Sequence, residues 1–138
     1  EGFKAWHFML GLSVLALVLV RIAFRLMKTA PAIIPAPPRW QRLASRGVHL
    51  ALYGLMIGMP LAGWTILSAK GAPIPFFGLT LPPLIQPDKA FGTWLQEMHA
   101  TAGTVGYWLI GLHAAAALAH HYMRKDDTLR RMLPGRRV

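Results

Sequence analysis

The sequence predicts an all-α fold, a transmembrane helical bundle with three spans, and three observations predict it. Hydrophobic residues make up 54% of the chain and charged ones only 14%, whereas a soluble domain carries about a quarter charged residues. The apolar residues gather in three long blocks, each close to the ~20 residues that cross the hydrocarbon core of a bilayer. The basic residues sit at the ends of those blocks, where topology signals belong. A single membrane domain over residues 1–138 follows from this distribution.

The first span runs from about Ala5 to Met27, and its core, Phe8 to Val20, holds no charge. It has no cleavage-like end and runs into Arg21 and Arg25, so it is not read as a signal peptide. A proline-rich connector, Thr29–Arg39 with Pro31, Pro35, Pro37 and Pro38, predicts an extended, semi-rigid link. The second span runs from about Leu43 to Leu67 and contains Pro60, which predicts a kink of the kind membrane helices tolerate. The loop Ala69–Gly92 is apolar from Pro73 to Pro82 yet too rich in proline to span, and it reads as a cap on the membrane surface. The third span runs from about Trp94 to Met123 and ends at Arg124 and Lys125. Trp6, Trp64 and Trp94 fall near span ends, where amphipathic rings favour the interface.

The formal charge of +10 would point to nucleic acid in a soluble protein, but here it follows the span ends and no nucleic acid partner is expected. Twelve Lys and Arg flank the connector or lie in the tail: Arg21, Arg25, Lys28, Arg39, Arg42, Arg46, Arg124, Lys125, Arg130, Arg131, Arg136 and Arg137. Only Lys4, Lys70 and Lys89 lie on the other side. That bias predicts a cytoplasmic connector and C-terminus, with the Ala69–Gly92 loop outside. The chain has no cysteine, which excludes disulfides, thiol catalysis, iron–sulfur clusters and covalent haem attachment.

The six histidines carry the chemistry, because a ring nitrogen in lipid without a partner is costly. His7 lies just inside the outer end of span one and His99 just inside the outer end of span three. With one span between them the two helices run parallel, so both rings fall at one depth. Two opposed imidazoles at one depth form an axial pair for haem iron; interhelical hydrogen bonding is the plainer alternative. Gly11 and Gly103 each follow their histidine by four residues on the same helix face, where the missing side chain leaves room for a flat macrocycle. His113 lies fourteen residues after His99, ~21 Å along nearly the same face, a spacing that suits a second haem. No histidine stands out as its partner: His49 is followed four residues on by Tyr53, which leaves little room, so His49 reads as structural or quinone-contacting. His120, seven residues beyond His113, is a candidate for proton exchange with a quinone or a solvated helix-end residue. His121 is expected to face the headgroups.

The run Gly111-Leu112-His113 through His120-His121-Tyr122, followed by Lys125-Asp126-Asp127-Thr128-Leu129, closely resembles the last helix of the bacterial cytochrome b561 family. The segments Ile33-Ile34-Pro35, His49 to Tyr53 and Phe77-Gly78-Leu79-Thr80 resemble other parts of it, so the resemblance covers essentially the whole chain. It implies a four-helix, di-haem bundle in the bacterial inner membrane. It implies that His7 and His99 bind the outer haem b, and that His113 binds the inner one with a histidine from a helix preceding span one. The chain shows no such helix and starts at Glu1 rather than Met, which predicts truncation. Similarity to the superoxide oxidases of the family implies oxidation of superoxide outside and reduction of ubiquinone. The physical reading of the residues adds His120, Arg124 and His49 as candidate quinone contacts and Lys4, Lys70 and Lys89 as cations that attract the anion. Two alternatives stand beside it: a cytochrome b subunit passing electrons between quinol and a partner redox enzyme, and a non-redox membrane protein whose histidines only hydrogen-bond.

Overall fold

The computed structural model describes residues 2–27 and 38–124. The connector prolines Pro31, Pro35 and Pro37, the Ile33-Ile34-Pro35 motif, the Lys125–Leu129 segment and the tail arginines lie outside the described residues, as does the side chain of Arg124.

Helix α1 spans Gly2–Met27. It is apolar all round, as a helix immersed in lipid is. Leu12, Leu15 and Val18, three residues apart, form its buried stripe, while the Ser13 hydroxyl donates back to the Met9 carbonyl at 2.8 Å and so needs no outside partner. Helix α2 spans Arg39–Ala69 and continues through Pro60. Pro38, in an extended conformation, sets its start. Its end is a Schellman cap: Gly71 takes φ +64°, its N–H donates to the Ser68 carbonyl, and the Ala72 N–H donates to the Leu67 carbonyl, both at 3.0 Å.

The loop expected to cap the membrane surface contains a hairpin. Strands β1 (Ile74–Phe76) and β2 (Leu79–Leu81) pair antiparallel, Ile74 opposite Leu81. The turn residues Phe77 and Gly78 have φ of +46° and +85°, the paired positive values of a type I′ turn. The strand pairing absorbs backbone polar groups that an irregular apolar loop would leave bare. Helix α3 spans Lys89–Ala119 and runs on as a π-helical turn, His120–Arg124. The Asp88 carboxylate accepts from the Phe91 N–H at 3.0 Å and caps its start. The Asp88 N–H bonds to the Ala69 carbonyl at 2.8 Å, tying the beginning of α3 to the end of α2. Gly92 is needed there: a Cβ on it would lie 3.1 Å from that of Ala69.

All three helices, Gly2–Met27, Arg39–Ala69 and Lys89–Met123, are long and apolar enough to cross a membrane. They begin earlier than the apolar blocks predicted for spans two and three, because hydropathy marks the depth of hydrocarbon whereas Pro38 and Asp88 set the hydrogen-bonded starts. Large apolar side chains such as Trp108 (78% exposed) and Leu112 (68%) point outward, an arrangement that suits lipid as solvent. The buried core is small and sits at the hairpin end, where Leu12, Leu67 and Ile74 meet beneath Phe8, Trp64 and Phe76. Helix α2 packs against both α1 and α3, while among the described residues no Cα of α1 comes within 8 Å of one in α3.

Candidate haem site

The gap between α1 and α3 holds a cavity of about 550 Å³, within the range of sites for small ligands. His7 and Gly11 face it from α1, and His99 and Gly103 from α3. Met59, Pro60 and Gly63 of α2 form its back, and Ile74 of the hairpin and Leu67 close the outer end. Pro60 has no N–H, so the Met56 carbonyl one turn before it lacks its helical donor; both residues line the cavity.

The rings of His7 and His99 meet across this space with centroids 6.2 Å apart and planes at 78°. With a metal–imidazole bond of about 2.0 Å and each nitrogen about 1.1 Å ahead of its centroid, two imidazoles on opposite sides of one metal stand about 6.2 Å apart. The His99 Nδ1 is buried without a hydrogen-bond partner in the protein, which marks a polar group awaiting one. A Cβ added to Gly11 meets nothing within 4 Å, and one added to Gly103 meets only the Met59 methyl at 3.6 Å. Gly63, which sequence reasoning did not single out, faces the His99 ring from α2, where a Cβ would lie 3.7 Å from Cε1, in ordinary van der Waals contact. Among the described residues no group of three or more His, Asp or Glu side chains is placed to hold a metal ion alone. Two imidazoles are what an iron already held by four macrocycle nitrogens requires.

His113, for which no partner was evident, has its ring 5.4 Å from that of His49, edge to face. Tyr53 does not block the approach; its hydroxyl accepts from Arg21 Nε at 3.1 Å instead. The 5.4 Å separation is shorter than two rings need around one metal, so the pair is in ring contact. Ser45 Oγ lies 3.4 Å from His49 Nδ1. His120 Nε2 is 2.8 Å from Gln41 Nε2, and the two share a shallow, mostly apolar hollow with Trp40, Ala116, Ala119 and Met123. The quinone contacts expected at His49 and His120 therefore sit in separate surroundings, one against His113 and one against Gln41.

A multi-pass helical membrane protein with a paired-histidine cavity between parallel helices is the class these features define. The chain belongs to the prokaryotic cytochrome b561 family, whose model matches residues 2–135. It is 39% identical over 142 aligned positions to "Probable superoxide oxidase CybB" of Yersinia pestis, covering 99% of this chain and 80% of that protein. It is 35% identical over 131 residues to "Cytochrome b561 homolog 1" of Escherichia coli K12, covering 95% of this chain and 74% of that one. It is 32% identical over 134 residues to "Cytochrome b561 homolog 2" of the same organism, covering 92% and 68%. The protein is thus a bacterial multi-pass membrane cytochrome that carries electrons on haem b, and the cavity between α1 and α3 fits that group in ligand set, spacing and room.

Proposed function

We propose that this chain is a superoxide:ubiquinone oxidoreductase, with His7 and His99 as the residues that would hold a b haem at its outer end. The observation that carries the site is the 6.2 Å separation of the two rings across an otherwise apolar cavity; the name borne by the 39% identical Yersinia relative favours the substrate. A bound haem supplies a one-electron iron couple there. Gly11, Gly63 and Gly103 leave the ligand its space, and Ile74 and Leu67 exclude water from the outer end. Lys4, Lys70 and Lys89 share that end of the molecule and raise the local concentration of an anion, with Lys70 held near α3 by the Gln96 side chain. Over the whole reaction two superoxide ions each lose one electron and leave as dioxygen, and one ubiquinone gains two electrons and two protons.

His113, ~21 Å along α3 from His99, serves as a ligand of a second haem, and His49 orients its ring by the edge-to-face contact. The quinone is received at the connector end, near His120 and Arg124. The connector side is cytoplasmic, as the charge bias directs. In proteoliposomes carrying the purified protein and ubiquinone, superoxide is expected to disappear faster than by spontaneous dismutation, with ubiquinol formed at half the molar amount of superoxide consumed. Superoxide loss at the spontaneous rate, in a preparation that still accepts electrons from a quinol, would favour the role of a subunit serving a partner enzyme.

A further inference from the structure

At the connector end of α1 two arginines converge on a neighbouring helix. Arg21 directly follows the uncharged run Phe8–Val20 and donates from Nε to the Tyr53 hydroxyl of α2 at 3.1 Å. Arg25 follows four residues on, on the same face of α1. Like charges four residues apart on a helix repel. Among the described residues the only carboxylates, Asp88 and Glu97, belong to the opposite end of the molecule. The phenol takes one N–H of Arg21, and a guanidinium carries five.

We propose that Arg21, Arg25 and Tyr53 form a binding site at the α1–α2 seam for the phosphate of an anionic membrane phospholipid. The depth fits, because lipid phosphate lies where an uncharged span ends, and long arginine side chains reach toward it. The chemistry fits, because guanidinium forks bind phosphate oxygens in pairs. The net charge of the headgroup is selected as well: the ammonium of a choline headgroup would meet two arginines and, among the described residues, no carboxylate at that end. Arg39, Arg42 and Arg46 lie on the part of α2 that precedes His49. The site does not depend on the electron-transfer reading.

The test is native mass spectrometry of the full chain in detergent with equimolar phosphatidylglycerol and phosphatidylcholine. Two arginines at a membrane surface are expected to favour phosphatidylglycerol roughly 30-fold. Arg21→Gln with Arg25→Gln abolishes most of that preference, Tyr53→Phe lowers it several-fold, and Arg39→Gln with Arg42→Gln leaves it unchanged. Where the glutamine pair fails to insert, Arg21→Lys with Arg25→Lys keeps the charge and decides: a several-fold loss supports the fork, an unchanged preference refutes it. Equal binding of both lipids, an equal loss in the Arg39 and Arg42 control, or displacement by equimolar inorganic phosphate would each overturn the proposal.

Discussion

Gly11 separates a ligand-shaped space from an ordinary helix contact. In the protein alone an added Cβ there meets nothing within 4 Å, and alanine favours a helix over glycine by up to about 1 kcal/mol. Gly11→Leu is therefore expected to leave the helices assembled while lowering haem content at least several-fold, read as the haem-to-protein ratio of the purified variant. Undiminished haem would mean that the macrocycle lies elsewhere. The His7–His99 pairing was legible because depth follows from counting residues along two parallel helices. The His49–His113 contact was not: it depends on the rotation of α2 against α3 and on Tyr53 being drawn toward Arg21, and neither is written in spacing along one helix. Gly63 escaped notice for the same reason, since its value lies in what crosses over it from α3.

Ser68 shows how the hairpin end is held. Only 1% exposed, its hydroxyl donates to the Trp64 carbonyl at 2.9 Å and accepts from the Leu84 N–H at 3.0 Å. The Trp64 indole donates to the Pro82 carbonyl at 2.9 Å, and the Phe77 N–H faces Met9 Sδ at 3.3 Å. Ser68→Ala leaves the Leu84 N–H without its acceptor and is expected to cost about 1–3 kcal/mol, visible as a lower unfolding midpoint in detergent. An unchanged midpoint would mean that this bond does not hold the segment. The three helices were legible as elements, because apolar length is a strong signal. The hairpin was not, because Pro73, Pro75 and Pro82 read as loop, and a three-residue ladder closed by Phe77 at positive φ lacks the usual Asn-Gly or Asp-Gly cue.

For the whole molecule, the arrangement is a middle helix holding two others apart, with a cavity in the space between them. Its orientation rests on basic residues, and the absence of native cysteine makes it simple to check. In intact cells a membrane-impermeant thiol reagent is expected to label Lys4→Cys and to spare Arg46→Cys until the membrane is opened. The reverse pattern would put the His7–His99 end on the cytoplasmic side, away from external superoxide. The central claim is that those two rings share one haem. Its most direct measurement is the haem content and reduced absorption spectrum of His7→Ala and His99→Ala beside the unsubstituted protein. Each variant is predicted to lose the same b-type component, and full haem content with an unchanged spectrum in both would contradict the assignment.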